Sequence, residues 1–154
     1  MAFKAYKTYV ITLSKTFPTT HPRAGEPTDF GENLRRTKLH TIRGNYEHWE
    51  KRFKQIDAGE ACLSIRQWAG KPYASKQVEI ANLKKEDGIG IQKLDFYHGS
   101  TADSLFYPTI DGKPSDSTEL AKNDGLSISD WVRWFKGADL SKPMVIIHFT
   151  NFRY

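Results

Sequence analysis

The chain has 154 residues, of which 38% are hydrophobic, 13% aromatic and 27% charged, a make-up that fits one compact domain with its own core and excludes a disordered chain. A single cysteine, Cys62, excludes an internal disulfide framework and a multi-cysteine zinc centre, and the longest uninterrupted apolar run, residues 144–147, is too short to span a bilayer. The net charge of +5 is uneven, with a surplus of six positive charges in residues 1–80 and a deficit of one in residues 81–154; this points to a polyanion-facing surface, with an ordinary solvated face as the alternative.

Residues 6–14 (YKTYVITLS) are rich in β-formers and read as a first strand. The next stretch, residues 15–28, holds three of the seven prolines, so it is expected to be a long ordered loop. Asp29 is placed to cap a short helix over residues 30–36, and residues 40–43 read as a short strand. Asn45 is placed to cap a helix running to about Gln55, with Tyr46, Trp49, Phe53 and Ile56 at helical spacing and Gly59 ending it. Residues 61–68 and 75–83 alternate around Ala69-Gly70-Lys71-Pro72 and predict a hairpin with a long tip. Residues 90–98 predict another strand, with residues 104–110 pairing loosely beside it and a turn at Asp111-Gly112-Lys113-Pro114. Ser115 or Ser117 is expected to cap a helix to about Asn123. Ser127 caps an amphipathic helix with Ile128, Trp131, Val132 and Phe135 that stops at Gly137, and residues 144–149 form a final buried strand. The strands are not regularly separated by crossover helices, which disfavours a doubly wound sheet. The pattern predicts an α+β domain, a small mixed or antiparallel barrel decorated by short helices.

Most signatures of chemistry are missing. The sequence has no Walker loop, and Gly88-Ile89-Gly90 lacks a following phosphate cradle. His21, His40, His48, His98 and His148 are scattered without metal-ligand spacing, and Ser64 and Ser75 lack a nucleophile-elbow context. No metal and no cofactor is called for. The start of the chain has no apolar signal-peptide core, so the expected compartment is the cytoplasm, with no membrane partner.

The informative segment is Arg35-Arg36-Thr37-Lys38-Leu39-His40-Thr41-Ile42-Arg43. In an extended chain Thr41 and Arg43 share one face and His40 and Ile42 the other, with Lys38 at the entry. An ammonium, a hydroxyl and a guanidinium then lie close together, a set suited to a phosphate or a polarised carbonyl. The competing explanation is a basic helix end that complements its own dipole. Tyr46, Trp49, Trp68 and Tyr73 are aromatic candidates for base stacking, although Trp49 and Trp131 lie on apolar helix faces and fit a core better.

This segment resembles the entry motif of the ASCH domains, relatives of the PUA-like β-barrels, in which a Lys is followed by a Thr three residues on and an Arg two further. The resemblance extends to Gly59-Glu60 leading into Leu63-Ser64-Ile65-Arg66, to Asp124-Gly125-Leu126-Ser127-Ile128-Ser129-Asp130-Trp131 with Trp134 and Phe135, and to the closing strand over residues 145–149. The blocks run in order over residues 34–150, with residues 15–28, 45–57 and 69–74 as additions. The resemblance implies a single PUA-like domain whose barrel cleft binds RNA or a modified nucleoside, with Arg43, Arg66, Tyr46, Trp68 and Tyr73 as ligand-binding residues. Some small members remove the acetyl group from N4-acetylcytidine with a Lys, a Thr and a Glu. Carried over, these are Lys38, Thr41 and Asp124, the last one methylene shorter. A third implied activity is cleavage of single-stranded RNA.

Overall fold

The computed structural model describes residues 5–96 and 104–154. Tyr97 and His98, the end of the strand expected over residues 90–98, lie outside them. The strands are β1 (Lys7–Thr12), β2 (His40–Gly44), β3 (Ala61–Trp68), β4 (Gln77–Leu83), β5 (Gly90–Phe96), β6 (Pro108–Ile110), β7 (Lys113–Pro114) and β8 (Met144–His148), and the α-helices are α1 (Tyr46–Asp57), α2 (Ser117–Asn123) and α3 (Ile128–Trp134). The α+β class therefore holds. The strands pair as two sheets, β1-β3-β4 and β2-β8-β5-β6-β7, and the described ladders do not close them into one barrel. All pairings are antiparallel except β1 with β3, which run parallel with Lys7 opposite Ala61.

Strand β8 organises the core because its side chains alternate between two apolar layers. Val145 and Ile147 pack with Ile11, Leu13, Phe53, Ile56, Leu63 and Ile65, between the five-stranded sheet on one side and β1, β3 and α1 on the other. Met144 and Ile146 pack with Leu94, Ile110, Leu120 and Trp131 against α2 and α3. Trp49 and Trp131 are both core residues, as their helix faces imply. No helix among the described residues is long and apolar enough to cross a membrane.

Local sequence explains most boundaries. Asp111 and Gly112 both have positive φ (50° and 81°), the geometry of a tight hairpin turn, so the Asp-Gly pair joins β6 directly to β7. The cap of α2 is Asp116, whose carboxylate accepts from the Thr118 N–H; neither Ser115 nor Ser117 serves. Ser127 caps α3 as expected, accepting from the Asp130 N–H at 3.1 Å. The helix expected over residues 30–36 is absent. Asp29 and Arg35 sit at φ 60° and 65°, which breaks a right-handed helix at both ends. The Asn33 carbonyl instead collects the N–H groups of Arg36, Thr37 and Lys38, folding the chain into turns that deliver Lys38 to the edge of β2.

Asn45 caps α1 from a left-handed conformation, φ 63°, with its side chain accepting from the His48 N–H. Asn45→Ala removes the acceptor and forces alanine into that region, so it is expected to cost about 1–2 kcal/mol, whereas Asn45→Gly costs a few tenths, about 0.3 kcal/mol. Urea unfolding midpoints of the two variants check this; equal losses would reject it.

Candidate active site

Sheet edges β1 and β2 face one another without a shared ladder. Arg43 crosses the seam, its Nη2 donating to the Thr12 carbonyl at 2.9 Å. In this seam lies a cavity of about 50 Å³ lined by Leu13, Ser14, Phe30, Lys38, Thr41, Ile42, Arg43, Asp124, Leu126, Trp134 and Phe135. Four residues singled out from the sequence, Lys38, Thr41, Arg43 and Asp124, thus converge on one hollow from positions up to 86 residues apart.

Asp124 reaches the site through the way α2 ends. The Leu126 N–H bonds to the Ala121 carbonyl and the Gly125 N–H to the Lys122 carbonyl, a Schellman turn with Gly125 at φ 83°. A Cβ on Gly125 would also press within 3.3 Å of the Lys38 Cβ, so glycine serves both the turn and the close approach. The turn sets Asp124 against Lys38, whose Nζ donates to Asp124 Oδ1 at 2.9 Å and to the Asp124 carbonyl at 2.8 Å. Lys38 thereby also closes the C-terminus of α2, so the dipole-complementing role expected of a basic residue is present, but on another helix than its own segment. Its Nζ stands 4.0 Å over the Phe30 ring, a further cation contact.

The pair is buried, with Lys38 2% and Asp124 5% exposed. Burial pushes the Lys38 ammonium below its ordinary lysine range, Asp124 pulls it back and Arg43 lowers it further. For Asp124 burial works upward, but Lys38 and His40 outweigh it and hold the carboxyl below its usual range. The result is a carboxylate beside a lysine that gives up its proton more readily than a free one. Thr41 is paired with Ile147 across the β2–β8 ladder. Its hydroxyl has no hydrogen-bond partner among the described residues, and the residue lines the cavity. Arg43 is opposed by burial, yet a guanidinium stays charged in a protein. Its Nε is buried with no hydrogen-bond partner among the described residues.

The remaining predicted ligand-binding residues lie elsewhere. Arg66 is used within the three-stranded sheet, donating to Ser64 Oγ at 2.9 Å and Gln77 Oε1 at 3.4 Å, while Ser64 donates to Glu79. Tyr46 opens α1 and borders a separate surface groove with Lys93 and Lys142. Trp68 and Tyr73 do meet, their rings 5.1 Å apart at the β3–β4 tip. Tyr73 is 91% exposed and at φ 62°, and neither ring lines the seam cavity.

Two kinds of contributor were not picked out as site residues from the sequence. The first is the aromatic wall: Trp134 packs on Phe30 and on Phe17, with ring centroids 5.6 Å apart in both cases. The loop over residues 15–28 holds Phe17 in place through His21, which donates Nε2–H to the Asp130 carbonyl, and through Arg23 Nη1, 2.6 Å from Asp130 Oδ2. The helical spacing of Trp134 from Trp131 was a signal for a wall residue. The second is His40, on the opposite face of β2 from Thr41, whose Nδ1 is 3.7 Å from Asp124 Oδ1. Among the described residues no group of three or more His, Cys, Asp or Glu is placed to hold a metal ion. No protein-family model, no curated protein and no solved structure matches this chain.

Proposed function

We propose that this chain is an ASCH-like, PUA-like domain whose seam cavity hydrolyses the acyl amide of a modified nucleoside of the N4-acetylcytidine type. The observation that carries this reading is the convergence of a buried Lys38–Asp124 pair, the Arg43 side chain and a Thr41 hydroxyl with no hydrogen-bond partner among the described residues on one hollow. A cavity of about 50 Å³ has room for a group of acetyl size and not for a nucleobase, so the acyl group enters while the base stays at the mouth. The shorter Asp124 is no obstacle, since it reaches Lys38 at 2.9 Å.

The chemistry follows from the donors. The Lys38 ammonium first releases its proton to solvent, and the neutral amine then takes the Thr41 hydroxyl proton as Oγ1 attacks the amide carbon. Arg43 stabilises the oxyanion that forms. Collapse breaks the C–N bond, and the Lys38 ammonium returns the proton to the leaving amine. Water, deprotonated in the same way by Lys38, then cleaves the threonine ester, releasing acetate and restoring Thr41. Asp124 orients Lys38 through both steps.

A second reading, binding of RNA or a modified base without turnover, is favoured by the Trp68–Tyr73 pair, in which Tyr73 is exposed and Trp68 half-buried, because base stacking contributes about 1–3 kcal/mol per base. Incubation with N4-acetylcytidine, followed by chromatography for cytidine, separates them. Hydrolysis predicts cytidine and acetate in equal amounts and a loss of at least about 1,000-fold in kcat for Thr41→Ala. Salt-dependent RNA binding with no cytidine supports the binder instead. Absence of both would overturn the two readings together.

A further inference from the structure

We infer that His40 and Tyr154 are positioning residues for Asp124, forming a hydrogen-bonded chain behind the cavity that keeps its carboxylate ionised and aimed when Lys38 discharges. The inference rests on the hydrolytic reading of the Lys38–Asp124 pair. It starts from a difficulty in that reading. A lysine that acts as a base must part with its proton inside a buried site, and a buried carboxylate left beside a neutral amine is expected to take a proton itself. A second donor to Asp124 removes the difficulty.

The geometry supplies one. His40 is fully buried on the face of β2 away from the cavity. Its Nε2 lies 2.6 Å from the Tyr154 hydroxyl, which accepts from Asn123 Nδ2 at 3.2 Å. The other ring nitrogen, Nδ1, is buried without a hydrogen bond and points at Asp124 Oδ1 from 3.7 Å. A lone pair facing a carboxylate across that distance is repulsive, so Nδ1 carries the hydrogen and Nε2 accepts from Tyr154. Every group then has a consistent direction: Asn123 donates to Tyr154, Tyr154 to His40, and His40 Nδ1–H aims at Asp124. The 3.7 Å gap is too long for a bond while Lys38 holds the carboxylate. A small rotation of Asp124 closes it when Lys38 becomes neutral.

The surroundings keep the chain in this form. The groups facing Asp124 are Lys38, His40, Arg43 and Tyr154, and those facing His40 are Asp124, Lys38, Tyr154 and His148. Burial holds His40 neutral and Tyr154 protonated, so each donates or accepts without a competing charged form.

Carbon-13 NMR titration of the Asp124 carboxylate, in wild type and in Tyr154→Phe, His40→Asn and His40→Leu, tests the inference without any substrate. His40→Leu is expected to move the Asp124 titration upward by about one pH unit or more, and Tyr154→Phe to move it the same way by less. His40→Asn, which keeps an N–H at the Nδ1 position, restores most of the wild-type value. With N4-acetylcytidine, Tyr154→Phe and His40→Leu lower kcat by about 10–100-fold with KM unchanged, and His40→Asn recovers part of it, the range seen when a group orienting another is removed. An unmoved carboxylate titration in folded His40→Leu and Tyr154→Phe, or in Tyr154→Phe where His40→Leu does not fold, overturns the inference, as does a titration in His40→Asn displaced as far as in His40→Leu. A moved titration in a protein that never turns over N4-acetylcytidine rejects the hydrolase and leaves the positioning chain standing.

Discussion

Replacing Lys38 by methionine is expected to lower the unfolding free energy at neutral pH by about 3–5 kcal/mol, the cost of stranding one charge of a buried pair. Methionine fills the space of the lysine stem, so the loss is electrostatic rather than a cavity effect. It leaves the Asp124 carboxylate 5% exposed, with His40 Nδ1 3.7 Å away. The pH dependence gives the claim its sign. In wild type the Asp124 carboxyl is held below its ordinary range, so its contribution is present above the unfolded value of 3.8 and is lost as pH falls further. Without Lys38, burial dominates and the folded value rises above the unfolded one. The native variant then binds more protons than the unfolded chain, and its stability increases as pH falls through the raised value. The gap between variant and wild type therefore narrows on acidification. Combining Lys38→Met with Asp124→Leu removes both charges and is expected to recover most of the loss, because an apolar pair often substitutes for a buried ion pair. Urea denaturation at pH 7 and pH 5 measures all three proteins. A single-variant loss below about 1 kcal/mol would show that the two side chains do not form an ion pair in the folded chain.

What the sequence disclosed divides along physical lines. Short-range signals were legible: the asparagine cap at Asn45, the serine cap at Ser127, the Asp111-Gly112 turn and the helical stripe of Trp49, Phe53 and Ile56 each depend on a few neighbouring residues. Alternation along residues 40–43 gave the correct faces for Thr41 and His40, because β2 is extended as read. Sequence could not show that α2 ends in a Schellman turn over Lys38, a contact 86 residues distant. Nor could it show that Arg66 would be absorbed by Ser64 and Gln77, since arginine partners are set by sheet register. The helix expected over residues 30–36 failed for a related reason: its propensity was outweighed by the left-handed turns at Asp29 and Arg35 that carry Lys38 to the seam. His40 gave no local signal beyond its face, because its role comes from Tyr154 at the far end of the chain.

Acid should weaken the protein from about pH 6.5 downward, well above the range in which most carboxylates titrate, and the main cause is His148. This residue pairs with His40 across the β2–β8 ladder and has no exposed surface. Its Nε2–H donates to Gln92 Oε1 at 3.0 Å, an assignment fixed because Gln92 Nε2 donates to Asp111 Oδ2. Its Nδ1 is buried without a partner, so a second proton there would have nothing to bond. Burial, then repulsion from His40 and Arg153, pushes its pKa from 6.5 down to about 2. Between those values the unfolded chain holds one proton more than the native protein, and stability falls with decreasing pH by up to about 1.4 kcal/mol per pH unit. His40 is shifted in the same direction by its own burial and adds to the loss, whereas Asp124 contributes only below its unfolded value. His148→Gln keeps a donor towards Gln92 and abolishes the titration. Over pH 4.5–6 it is expected to flatten the stability profile by about 1.4 kcal/mol per pH unit relative to wild type; parallel profiles would reject the assignment.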